Sequence, residues 1–97
     1  MSDILAIQKY IKVQREMDYI NFKQKFIEEE RNMYLYMDKI VTKHHEFPLN
    51  NIYDLSFKPF GKAGGILYIH TNNGVFTYNV DSDATEFINT FKQFQQN

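Results

Sequence analysis

The chain has no cysteine, which rules out a disulfide framework, a thiolate zinc site and a thiol nucleophile. It also lacks an excess of charge of either sign: eleven Lys and Arg against twelve Asp and Glu leave a net charge of −1. So weak a field does not draw in a phosphate backbone, which argues against nucleic acid as a partner. No apolar run approaches the roughly 20 residues of a helical membrane span. The N-terminus, with Asp3 and no basic stretch, makes a poor secretion signal. Together these absences read as a cytoplasmic protein. Internal repeats, low-complexity tracts and domain boundaries are missing too, so residues 1–97 are expected to form one small domain. A domain of that length buries roughly 60 to 65% of the surface its unfolded chain exposes, which leaves a modest core and no catalytic cleft between two domains.

What is present suffices for that core: 43% of the residues are apolar, among them seven Tyr and nine Phe. The most informative stretch is Gly64 to Phe94. Two strand-like runs, Ile66–Thr71 and Val75–Val80, flank Asn72-Asn73-Gly74, and Asn-Gly supplies the positive φ angles of a tight hairpin turn. After Val80 the period lengthens to about 3.6: Ala84, Phe87, Ile88, Phe91 and Phe94 form one stripe, which predicts an amphipathic helix over 83–94. Asp83 with Glu86 three residues on fits its N-terminal cap, and Ser82 is the alternative.

Upstream the pattern reads as sheet. Over residues 8–15, Ile11 and Val13 alternate with Tyr10, Lys12 and Gln14, and β-branched residues favour a strand. A helix behind a Ser2 or Asp3 cap also accommodates Ile4, Ile7, Tyr10 or Ile11, and Met17, so residues 2–19 stay open between the two. In the run 19–29, Ile20, Phe22 and Phe26 alternate with Asn21, Lys23 and Lys25 as in a half-buried strand. The polar run Glu28-Glu29-Glu30-Arg31-Asn32 suits a turn. Strands follow at 33–37, 40–47 (ended by Pro48) and 52–57, and Lys58 to Gly65 reads as the longest loop. Seven strands and one terminal amphipathic helix argue a mainly β (β+α) fold: a partly open barrel or sandwich with a C-terminal capping helix.

Three segments, FPLNNIYDLSF (47–57), GGILYIHTNNGVFTYNV (64–80) and DATEFINTFKQF (83–94), carry a resemblance to small bacterial pleckstrin-homology-like (PH-like) domains. It covers about half the chain, and its motifs are structural rather than chemical. The resemblance implies a seven-stranded barrel capped by a helix, no catalytic activity and no cofactor, and a role in binding lipids, peptides or further copies of the domain. The phosphoinositide-binding subset of that family carries K-x(n)-[KR]-x-R around the first hairpin. Lys12, Arg15, Lys23 and Lys25 lie in that region without the K/R-x-R element.

Those four basic residues are the candidate anion or headgroup patch, set against the simpler reading of a solvated strand face diluted by Glu16 and Asp18. His44, Glu46 and His70 are the nearest approach to a metal-ligand set, but spacing alone does not make them converge, so no metal site is assigned. Asp54 and His45 would form an acid–base pair only if strand pairing joined them. No nucleophile, oxyanion hole or phosphate loop is evident, and no catalytic residue is assigned. Tyr34 and Tyr36 alternate with Met33, Leu35 and Met37; with the latter turned inward, the two tyrosines form a candidate interaction face. The expected function is a non-enzymatic protein-interaction or scaffold module that self-associates, with a homodimer as the simplest form. Weak, peripheral binding to anionic lipid headgroups is the alternative.

Overall fold

A computed structural model describes residues 3–62 and 64–95. The chain runs through β1 (Ala6–Asp18), β2 (Lys23–Leu35), β3 (Lys39–Val41), β4 (Glu46–Pro48), a 3-10 turn (Leu49–Asn51), β5 (Ile52–Phe60), β6 (Gly64–Thr71), β7 (Gly74–Val80) and α1 (Thr85–Phe94). The seven strands form one antiparallel sheet in the order β4-β3-β2-β1-β7-β6-β5. The fold is therefore mainly β with a C-terminal helix, as the alternation of the sequence implies. The sheet does not close into a barrel: β4 and β5 are its free ends, and its two halves meet through Ile11 opposite Asn79. No helix among the described residues is long and apolar enough to cross a membrane.

The core lies between the two halves and under the helix. Met33, Leu35 and Ile40 from the first half meet Leu55, Leu67 and Ile69 from the second, all essentially without solvent exposure. The helical stripe packs onto them as its period requires, with Ala84, Phe87, Ile88 and Phe91 buried and Phe94 half-buried. Asp83 serves the helix start from one residue further out than a regular cap, its carboxylate accepting the Thr85 N–H at 2.8 Å and the Thr85 hydroxyl at 2.5 Å. Those bonds hold the Asp83 carboxyl below its usual range, the Thr85 hydroxyl being the larger cause. Ser82 has another task, accepting a hydrogen bond from the Gln8 amide of β1 at 3.2 Å.

Several boundaries differ from the pattern reading. Residues 8–15 are strand, and that strand extends over all of β1 rather than giving way to a helix. Ser2 lies outside the described residues. The expected strands at 19–29 and 33–37 are one strand, β2, which runs straight through Glu28–Asn32, while the turn falls at Tyr19–Phe22. Charge did not break the strand because this part of β2 is wet: Glu29 faces Lys12 across the ladder, Glu30 reaches Lys9 at 3.6 Å, and Arg31 pairs with Glu29. The run 40–47 is two short strands around a turn at Thr42–His45. Lys58–Phe60 and Gly64–Gly65 belong to β5 and β6, so the expected long loop loses both of its ends to strand. Pro59 is tolerated there because β5 is an edge strand. In the β6–β7 turn only Gly74 takes a positive φ, +118°, while Asn73 donates its N–H to the Thr71 hydroxyl.

Candidate interaction surface

The long β1–β2 hairpin positions the surface. Its ladder runs from Ala6 opposite Leu35 to Asp18 opposite Lys23, but neighbouring strands flank it only at its base: β7 at Ile11, and β3 at Tyr34 and Leu35. Beyond those points the hairpin is a bare two-stranded ribbon, about 20 Å long at 3.3 Å per residue. This arm accounts for the elongated shape of the molecule, 55 × 29 × 26 Å.

Its tip is closed by Asp18. The Asp18 carboxylate accepts the N–H groups of Ile20 (3.0 Å) and Asn21 (3.2 Å) and the Asn21 amide (2.9 Å), bonds that hold its pKa below the usual value. The turn then passes through Phe22 at φ +55°, a left-handed conformation that is unfavourable for a bulky side chain. Tyr19, Ile20 and Phe22 are 79, 88 and 86% exposed, so the strained turn holds three large apolar side chains in water. Phe26, Val13, Met17 and Ile27 extend the exposed apolar surface down the arm. Glycine or asparagine at position 22 would relieve the strain and polar residues at 19, 20 and 22 would solvate the tip; the chain has neither at those positions.

The four basic residues all lie on this arm but are not brought together as a patch. Strand alternation puts Lys12, Lys23 and Lys25 on one face and Arg15 on the other. Each lysine stands opposite a carboxylate, Lys12 facing Glu29, Lys25 facing Glu16 and Lys23 facing Asp18. Arg15 lies over the Phe26 ring at 5.9 Å. Tyr34 and Tyr36 sit at the base of the arm, each half-buried, the first beside Val41 of β3 and the second past the end of β2 with the Lys39 ammonium 5.9 Å from its ring. Met37, expected to turn inward with Met33 and Leu35, is exposed beyond the strand.

Beside the arm's base is a groove of about 350 Å³ lined by Tyr10, Arg31, Thr42, His44, His45 and Tyr78 among others. Burial pushes the Tyr78 hydroxyl up, against a hydrogen bond with Thr42 that draws it down. Tyr10 packs edge-on against Tyr78 and accepts the Lys43 N–H at 3.3 Å. Arg31 is already neutralised by Glu29, whose carboxyl the guanidinium holds below its usual range with help from Lys43 and His44. No buried side-chain polar atom among the described residues lacks a partner, so the groove holds no buried polar group waiting for a ligand.

The remaining constellations are dispersed. His70 shares a hydrogen bond with Ser56 at 2.8 Å, His44 sits in the β3–β4 turn, and Glu46 reaches Lys39 at 3.7 Å. Among the described residues no three His, Asp or Glu side chains are close enough to share a metal ion. Asp54 lies opposite His70 and 4.0 Å from Lys92, whereas His45 packs against Phe47 and Phe76, so the two do not pair. The tip is the feature that sequence reasoning missed. Its signal was Asp18 three residues before Asn21, a side-chain turn that outweighs the alternation of Ile20 and Phe22.

No protein-family model matches the chain, and no curated protein matches it either.

Proposed function

We propose that this protein is a non-enzymatic interaction module of PH-like character that engages a protein partner through the β1–β2 arm. The observation that carries the proposal is the tip: Tyr19, Ile20 and Phe22 stand in water on a turn that forces Phe22 into a left-handed conformation. An isolated two-stranded ribbon is marginal in water, and an arm this apolar gains from burial in a complex. Both ribbon edges also carry unpaired backbone groups, the template for strand addition. Tyr34 and Tyr36, expected to be the interaction face, border its base.

A photo-cross-linking residue placed at Phe22 in cells should give discrete protein adducts, while one at Thr77 on β7 should give few. Equal labelling at both positions, or none at either, would remove the arm as the contact.

The tip also favours a second reading. Apolar residues next to Lys23 and Lys25 suit shallow insertion into anionic headgroups. Asp18 and Glu16 stand opposite those lysines, so such binding is weak and is lost at high salt, each basic residue contributing about 1 kcal/mol at most. Salt-resistant sedimentation with anionic vesicles, abolished by Lys23→Glu with Lys25→Glu, would put the membrane ahead of the protein partner.

A further inference from the structure

We infer that the partner of the arm is a second copy of this chain, joined by antiparallel pairing of the two β2 edges about a twofold axis through Phe26. This deepens the protein-partner reading and rests on it. On the side away from β1, no described strand pairs with β2 between Lys23 and Met33; β3 takes that edge only from Tyr34. The matching edge of β1 is shorter, running from Lys12 to Asp18 because Asn79 occupies Ile11.

The sequence of the free β2 edge decides the geometry. Directly opposed residues of an antiparallel pair share a face, so a twofold axis between two copies of one strand must pass through a residue and its own copy. Centring on Lys25, Glu28, Glu29, Glu30 or Arg31 sets a charge against itself, centring on Gln24 sets Lys23 against Lys25, and centring on Ile27 sets Lys23 against Arg31. Lys23 too would face its own copy, and centring on Asn32 or Met33 leaves at most residues 31–33 free to pair before β3 takes the edge; of the remaining centres Phe26 alone opposes no like charges. It places Phe26 opposite Phe26 on the axis and Lys23 opposite Glu29 of the second copy, Gln24 opposite Glu28 and Lys25 opposite Ile27, the last three contacts each made twice by symmetry.

Two further features fit this register. Arg15 already lies over Phe26, so pairing creates a row of Arg15, Phe26, Phe26 and Arg15 across four strands. In the same register the paired strands run from Lys23 to Glu29, and the turn Tyr19–Phe22 of each copy lies past Glu29 of the other, toward the end of the free edge at Met33 where β3 takes over. Most of the free edge is thus paired, and each apolar tip is carried toward the base of the other arm.

The absence of cysteine makes the register directly readable. Opposed residues in an antiparallel pair are about 4.5 to 5.5 Å apart at Cα, within disulfide reach. Mild oxidation of single-cysteine variants should therefore cross-link Phe26→Cys fastest, with Ile27→Cys and, on the β1 edge, Gln14→Cys lagging. Sedimentation of the wild-type chain should show a concentration-dependent dimer in the micromolar range. Lys23→Glu and Glu29→Lys, each checked for folding by thermal unfolding, should each weaken it on the order of tenfold. Mixing the two variants should restore the dimer, because both cross-copy contacts then pair opposite charges. A wild-type chain that stays monomeric at hundreds of micromolar, failure of the mixture to recover, or fastest cross-linking at Ile27→Cys or Gln14→Cys overturns the inference. A monomer whose Phe22 position still cross-links to a different protein overturns it while leaving the protein-partner reading intact; a monomer that instead sediments with anionic vesicles removes both.

Discussion

Ile11 stands opposite Asn79, and this one register pair is what joins β1 to β7 and so one half of the sheet to the other. A seam that narrow places most of the cohesion between the halves on side chains, above all on the helix that packs against both β1 and β5. Phe91, with no exposed surface, is the deepest of its contacts.

Phe91→Ala should therefore destabilise the protein by about 3 to 5 kcal/mol, the usual range for truncating a buried phenylalanine. Lys92→Ala, on the wet face and 4.0 Å from Asp54, should stay within about 0.5 kcal/mol. Denaturant unfolding of both variants makes the comparison, and equal midpoints would mean the helix is not the clasp.

The β5–β6 hairpin depends on a close backbone approach. A Cβ on Gly65 would lie 2.2 Å from the Lys58 carbonyl oxygen and 2.8 Å from the Phe57 ring, so a methyl there forces the strands apart. Gly61, at φ +68°, has open space around it, and a side chain there meets only conformational strain of about 1 to 2 kcal/mol. Gly65→Ala should cost more than Gly61→Ala in thermal unfolding. The reverse order would show that β6 shifts freely to admit the methyl group.

Asp83 gives the helix a pH-dependent component. Its folded pKa lies below the ordinary 3.8, so the stability it contributes is present above that value and disappears as the pH falls through the folded pKa. Asp83→Ala should lower the melting temperature at neutral pH. The gap between variant and wild type should shrink as acidification takes the pH below 3.8 and through the folded pKa. A gap independent of pH would show that the carboxylate charge plays no part.

The C-terminal half was legible because each element there has one wet and one buried side. The Leu67/Ile69 alternation and the Phe87/Ile88/Phe91 stripe record that division directly. The first hairpin was legible only in part, because beyond Ile11 both of its faces are wet and apolar alternation no longer reports burial. Ile20, Phe22 and Phe26 thus looked like a core face, and Glu28–Asn32 looked like a turn. Arg15 was grouped with the three lysines because sequence proximity does not say which face of a strand a residue takes, and pairing with β2 puts it on the other.

Phe22 separates stability from function. Its ring is 86% exposed, so removing it forfeits almost no burial, and its φ of +55° is one that glycine adopts without strain. Relief of about 1 to 2 kcal/mol of left-handed strain opposes the 0.5 to 1 kcal/mol or so by which glycine loosens the unfolded chain. Phe22→Gly should consequently fold as stably as the wild type or better, by up to about 1.5 kcal/mol, in denaturant unfolding. The same variant should weaken arm-mediated association, since the tip would bring only Tyr19 and Ile20, without the Phe22 ring, toward the base of the opposite arm. A variant that unfolds earlier would mean that the ring serves folding, and one that folds and associates as before would mean that the tip is not part of the contact.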